Sequence, residues 1–241
     1  MKSLATEGAG LGSWGDGTET RVMNDRQIVD GINKFERWHY EFDLAGHKTP
    51  IFRADHINRH AQRREYFFRS MVSLLGGTLA GKRVLDLACN AGFWSLCAVE
   101  SGCDFVLGVD GRQMHVDQAN FVFELFDENL GKFDIVLCLG LMYHISKPVT
   151  LLERIAAINT DLLVVDTELS GMEGSLFEVR YEKSEDPRST VDFEQVLVPT
   201  RSGLVDVIRA FGYRTVVLKP RFSDYTGAPD YEDGLRRAFI C

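Results

Sequence analysis

The chain has 241 residues, of which 45% are hydrophobic and 26% charged, and its formal net charge is −8. Those proportions suit a globular protein with a real core; no apolar run reaches the roughly 18–20 residues of a bilayer span, and the N-terminus lacks the apolar heart of an export signal, so a cytoplasmic protein without a membrane partner is expected. An acidic chain forgoes long-range attraction to phosphate, which disfavours nucleic acid as a partner.

Residues 1–24 are rich in Gly, Ser and Thr and read as a mobile N-terminus. From Asp25 the pattern turns helical, with Ile28, Val29, Ile32, Phe35 and Trp38 at three- and four-residue steps. WHYEFDLAGHKTPIF breaks that period, and a second helical pattern runs from about Asn58 to Leu75 before the turn GGTLAGKR. The densest basic stretch, Arg53 to Arg69 with Arg59, His60, Arg63 and Arg64, suits one face of that helix and is expected to be solvated. Residues 25–81 thus read as a helical cap on a main domain over 82–241.

After Lys82 short apolar runs alternate with helical stretches. RVLDLA, DFVLGVD, FDIVLCLG and DLLVVDTEL read as strands. FWSLCAVESG, a stretch from Gln113 to Phe123, and VTLLERIAAI read as the helices between them. Continuous β-branched runs are expected of strands buried on both faces, and the alternation predicts an α/β, doubly wound, mostly parallel sheet. A polar stretch from Ser170 to Val196 precedes a helix, TRSGLVDVIRAFG, and a strand, YRTVVLKP; RRAFIC then closes an antiparallel edge pair. The five cysteines include no C-x-x-C pair and are expected to be reduced thiols.

Ligands of open α/β sheets bind beyond the carboxyl ends of the strands. The first such end is VLDLACNAGFWS, where Asp86 closes a strand and Ala88, Cys89, Asn90, Ala91 and Gly92 lead into a helix. A loop that cradles pyrophosphate wants glycines, and here only Gly92 is one. Ala is nearly as small, and Asn tolerates left-handed backbone, so a ligand without phosphate fits better. Asp110 closes the second strand; its carboxylate could accept from a ribose or cap the helix that follows. Gly111 and Met114 follow it, Met114 packing either on an adenine or in the core. Beyond the next strand, LGLMYHISKP places Tyr143 and His144. His144 is either a general base or a loop-packing histidine, and Tyr143 either lines the site or simply packs.

Together these segments resemble class I S-adenosylmethionine (SAM) methyltransferases, whose D-x-G-x-G-x-G loop overlays Asp86 to Gly92. More narrowly, VLDLACNAGFWS, VLGVDGRQMHVDQANFVFE, LGLMYHISKPVTLLE, FDLAGHKTP and VLVPTRSGLVDVIRAFGYRTV resemble the group that includes tRNA wobble-uridine carboxymethyltransferases and related small-molecule methyltransferases. The resemblance implies a Rossmann-like methyltransferase sheet, SAM as cofactor and S-adenosylhomocysteine (SAH) as product. It implies that Asp86, Ala88, Cys89, Asn90, Gly92, Asp110, Gly111, Met114, Leu139 and Gly140 hold the cofactor. Tyr143 would lie beside the transferable group, and the segment from Trp38 to Thr49 would close over the cofactor. His144 and Tyr143 are the catalytic candidates; Trp38, Tyr143 and Glu168 are the substrate-binding ones.

Two departures shape the expectation. The span from Asp110 to Asp134 is shorter than the family's helix, third strand and acidic turn require. The arginine that marks the carboxymethyl branch has no match, Arg188 standing at the wrong spacing from Val198 and Pro199. The expected function is methyl transfer from ordinary SAM to a small molecule such as a secondary metabolite or sugar-bearing intermediate, with O-methylation slightly favoured. An RNA methyl- or carboxymethyltransferase and a non-catalytic SAM-binding domain are the alternatives; a dinucleotide oxidoreductase lacks its G-x-G-x-x-G. Asp166 and Glu168 read as a strand-end pair, so no metal is expected, and a homodimer is left open.

Overall fold

The runs read as buried strands lie side by side in the middle of one sheet. The computed structural model describes residues 4–7, 24–33, 38–110, 131–183 and 195–241. In chain order it has β1 (Leu4–Glu7), α1 (Asp25–Asn33), β2 (Asp43–Leu44), β3 (His47–Lys48), α2 (Arg59–Arg63) and α3 (Arg69–Leu74). There follow β4 (Arg83–Leu87), α4 (Phe93–Glu100), β5 (Phe105–Val109), β6 (Phe133–Leu139), α5 (Pro148–Ile158) and β7 (Asn159–Glu168). The C-terminal third adds β8 (Phe177–Tyr181), β9 (Gln195–Pro199), α6 (Arg201–Ala210), β10 (Val216–Val217), α7 (Pro229–Glu232) and β11 (Arg236–Ile240). The helix expected over Gln113 to Phe123 lies outside the described residues, as do Gly111, Met114 and Arg188.

The seven-stranded sheet has the order β1-β5-β4-β6-β7-β11-β10. β5, β4, β6 and β7 are parallel, while β11 runs antiparallel to both β7 and β10, which gives the expected edge pair. Only Val216–Val217 of YRTVVLKP enters that pair. The outer edge beside β5 is held by β1, antiparallel, with Leu4 opposite Gly108. Leu4–Glu7, within the stretch read as a mobile start, supply this strand.

Alternation along the strands divides the core in two. Leu85, Leu87, Val136 and Val165 face α5 and α6. Val84, Ile135, Leu137 and Val164 face α4 and the α2–α3 rod. Helices on both faces make the sheet doubly wound. Between α2 and α3 the rod passes through one π turn, Arg64–Phe68, whose extra residue re-aims the helix face. Phe67, Phe68 and Met71 are thereby fully buried against Trp94 and the sheet.

The second correction concerns the basic stretch. Arg59, His60 and Arg63 are buried, not solvated. Arg59 makes a bidentate pair with Asp230 at 2.7 and 2.6 Å and donates to the Gly227 carbonyl at 2.7 Å. Arg63 reaches Asp166 at 3.3 Å and lies over Trp94. Asp230, Gly227 and Asp166 stand more than a hundred residues away, so no local pattern could have foretold these pairs. The polar stretch after Ser170 is also more ordered than expected. β8 and β9 form an antiparallel hairpin, with Phe177 opposite Pro199 and Tyr181 opposite Gln195.

All five cysteines are buried free thiols. Burial pushes the Cys97, Cys138 and Cys241 thiols up to about 12, which keeps them protonated and poor nucleophiles. Among the described residues no helix is long and apolar enough to cross a membrane, and no cluster of His, Cys, Asp and Glu could hold a metal.

Candidate functional site

The chain leaves β4, makes β5 on one side, then crosses back to make β6 on the other, so the strand order reverses at β4. A crevice beyond the carboxyl ends of β4 and β6 is the place such a sheet offers a ligand. Leu87 is in register with both Val109 and Cys138, so the loops at 88–92 and 140–144 and the residue Asp110 start side by side.

The first loop is tight. Ala88, Asn90 and Gly92 have φ of 57°, 52° and 83°. These are the three positions where the resembling loop carries glycine, and all three are left-handed here. The geometry survives although two side chains are no longer Gly. Asn90 donates its backbone N–H to Asp110 Oδ2 at 2.7 Å, and its own Oδ1 accepts from the Ala91 N–H at 2.7 Å. Cys89 N–H donates to the Val109 carbonyl at 2.9 Å, and Gly92 N–H closes the turn on the Cys89 carbonyl. Asp110 thus clamps the loop that Asp86 opens. Left-handed backbone costs a Cβ-bearing residue about 1 kcal/mol. Ala88→Gly is therefore expected to raise the unfolding free energy by roughly 0.5 kcal/mol, after the extra freedom glycine gives the unfolded chain. Urea unfolding midpoints check this; a lower midpoint would mean the Ala88 methyl packs better than its backbone strains.

Asp86 is 1% exposed. Its Oδ2 accepts from the Ser95 hydroxyl of α4 at 2.7 Å, while Oδ1 has no hydrogen-bond partner among the described residues. Burial pushes its carboxyl up to about 7 despite the Ser95 bond. Arg63, 4% exposed, faces the same region from α2, and its Nε likewise has no partner. The buried Tyr40 hydroxyl feels both the Arg63 and the Asp86 charge, and its ring stacks on Phe93 at 4.8 Å with a 4° tilt. Phe93 is the first residue of α4, directly after the loop.

Trp38 lies one ring further back. It meets Phe42 edge-on at 5.9 Å and donates its indole N–H to the Ile32 carbonyl at 3.1 Å. Within the segment expected to close over the site, Tyr40 and Phe42 are the aromatics that meet Phe93 beside the loop, at 4.8 and 5.9 Å. The i, i+2 alternation of Trp38, Tyr40 and Phe42 was the available signal.

The second loop leaves β6 at Leu139, which is buried in the core against α4. Gly140 has φ 85° and donates to the Asp166 carbonyl at 2.8 Å. A short 3-10 turn, Met142–His144, then presents Tyr143 and His144. The Tyr143 hydroxyl accepts from Arg236 Nη1 at 3.2 Å. His144 Nδ1 lies 2.9 and 2.8 Å from the two carboxylate oxygens of Glu182, which follows β8. Sequence reasoning missed Glu182, along with Tyr40, Arg63 and Arg236. Glu168 turns to Arg180 on β8 at 2.6 Å rather than joining Asp166, which is fully buried against Arg236. The loop residues, Asp110, Tyr143, His144 and Glu168 share one end of the sheet, Glu168 being engaged there by Arg180, whereas Trp38 packs one layer back on Phe42.

The sequence profile described as "methyltransferase domain" matches residues 59–216. The ubiquinone biosynthesis O-methyltransferase of Acinetobacter baumannii (strain AYE) is 34% identical over 94 residues, 32% of this chain and 39% of that enzyme. The tRNA U34 carboxymethyltransferase of Pseudomonas fluorescens (strain Pf0-1) is 33% identical over 106 residues, 38% of this chain and 32% of that enzyme. The chain thus spans about two fifths of the first relative's length, and less of the second's. The crystal structure of the N-terminal domain of EvdMO1 with SAH bound aligns at a TM-score of 0.62 and 21% identity, covering 92% of this chain and 98% of that one. At that identity the likeness speaks for the fold.

Proposed function

The chain belongs to the methyltransferase domain family, and from that premise we propose that it moves the methyl group of SAM to a hydroxyl of a small molecule. The observation that carries the reading is the pair of buried, oppositely charged groups at the loop, each with an unpartnered atom: Asp86 Oδ1 and Arg63 Nε. Polar atoms left without a partner in a protein interior are costly. The amino-acid end of SAM is a zwitterion, with an ammonium for Asp86 and a carboxylate for Arg63. SAM supplies an electrophilic methyl on a cationic sulfur.

The chain's own residues do the rest. Asp86 and Arg63 would fix the amino-acid end, and the left-handed loop lets backbone come close to it. Asp110, at the end of β5, would take the ribose. Tyr40 and Phe93 would exclude water from one side. Tyr143 and His144 would face the acceptor, with His144 taking the proton that a hydroxyl must lose as it attacks. Most of the acceleration would come from positioning and desolvation. The O-methyltransferase relative points the same way in its name. The burial of Arg59, His60 and Arg63 supports a small acceptor over RNA, because it takes three basic groups of the densest basic stretch off the surface.

Two measurements test this. Titration calorimetry is expected to find SAH binding, and SAM is expected to yield SAH in the presence of a hydroxyl-bearing acceptor. His144→Ala should cut that turnover about 10²-fold or more while leaving SAH affinity intact. A chain that does not bind SAH ends the reading as a methyltransferase; unchanged turnover in the variant removes His144 as the base.

A further inference from the structure

A general base must offer one defined nitrogen, and a neutral imidazole has two forms. We infer that Glu182 is a positioning residue that holds His144 in the form carrying its hydrogen on Nδ1. Both Glu182 oxygens lie within hydrogen-bond reach of that nitrogen, at 2.9 and 2.8 Å, and both side chains are only 19% exposed. An ionised carboxylate can only accept. The hydrogen between them therefore belongs to Nδ1, and the lone pair of the neutral ring stands on Nε2.

The arrangement is built rather than incidental. Glu182 follows directly on β8, and the β8–β9 hairpin is tied to the His144 loop by a second, independent bond: Leu197 N–H on β9 donates to the Ile145 carbonyl at 3.0 Å. From the other side Arg180 of β8 anchors the hairpin to Glu168 at the end of β7, at 2.6 Å. The Tyr143 ring, 3.9 Å from that of His144 and bonded to Arg236, backs the imidazole. The hairpin thus delivers one carboxylate to one nitrogen and is braced at both ends.

The consequence for the reaction rests on the methyltransferase reading above. As the acceptor oxygen attacks, its O–H bond breaks and the proton passes to His144 Nε2. The new O–C bond forms while the C–S bond of SAM breaks, its electron pair leaving on sulfur as neutral SAH. The imidazolium so formed stays paired with the Glu182 carboxylate, which stabilises the charge where it develops.

The test reads the ring directly. Long-range proton–nitrogen NMR of ¹⁵N-histidine-labelled full chain, in alkaline buffer with SAH added, reports which nitrogen carries hydrogen; His144→Ala assigns the signals. The wild type is expected to show the Nδ1–H form, and Glu182→Ala a shift towards Nε2–H with turnover down about 10²-fold and unchanged KM for SAM. An Nε2–H ring in the wild type, or a tautomer indifferent to Glu182→Ala, overturns the inference. Because the tautomer is read without turnover, it can fail while SAH binding stands. Conversely, a chain that ignores SAH fails the methyltransferase reading whatever its tautomer.

Discussion

Replacing Asp166 with alanine is expected to lower the unfolding free energy by roughly 3–5 kcal/mol. Asp166 is completely buried near the end of β7, opposite Ala238 of β11. Its Oδ1 takes Arg236 Nε at 2.6 Å, Arg236 Nη2 at 2.5 Å and Arg63 Nη2 at 3.3 Å. Its Oδ2 accepts from the buried Tyr231 hydroxyl. One carboxylate therefore bridges two buried guanidiniums on two different elements. Alanine would leave both, with Asp230 at 3.9 Å from Arg236 as the nearer remaining counter-charge. Urea unfolding measures the loss; a change below about 1 kcal/mol would mean that water or Asp230 can take over.

The same residue fixes a pH signature. Burial works against ionising Asp166, but Arg236 and Arg63 outweigh it and hold the carboxyl below the usual aspartate range. A folded pKa below the unfolded one means that its stabilisation is full above the ordinary aspartate range. It is lost as pH falls through the lowered folded value. The wild type should lose stability in that acid window, and Asp166→Ala should lose less there.

Such clusters mark the limit of what the sequence displays. β4 to β7 were legible because they are continuous apolar runs between glycine-bearing turns, a pattern that only strands buried on both faces need. The left-handed loop was legible too, since Ala88, Asn90 and Gly92 fall where the backbone requires small or αL-tolerant residues. The β8–β9 hairpin was not: FEVRY carries charges on a half-exposed face, so it reads as polar chain, and Glu182 was missed with it. Nor were the buried arginines, because a charge is read as solvated until its distant partner is known. Tyr40 failed for a related reason: a ring in an irregular segment shows its neighbour only after the chain folds it onto Phe93.

Asp86→Asn should move stability and binding in opposite directions. Burial pushes the Asp86 carboxyl up to about 7, and its Oδ1 finds no partner among the described residues. The folded state without ligand then holds a proton that the unfolded state releases near pH 4. By linkage, stability falls as pH rises from about 4 to about 7 and is level above. Ionising the group in place costs about 4 kcal/mol. Asparagine keeps the shape and escapes that cost, so the variant should be the more stable protein at about pH 7.5, by a few kcal/mol, with the gap closing towards about pH 4. Its SAH affinity should nevertheless be about 10- to 100-fold weaker at pH 7.5, because a charge-assisted bond to the ligand's ammonium is gone. Wild-type affinity should climb between about pH 5.5 and 7 with release of a proton, which calorimetry in two buffers of different ionisation heat detects; the variant should show neither. Undiminished SAH affinity in the variant would place the ammonium elsewhere. A variant less stable than wild type at pH 7.5 would mean that Asp86 is satisfied without a ligand. The expected result would make the half-satisfied Asp86 carboxylate a group whose instability in the empty chain is relieved by the cofactor it binds.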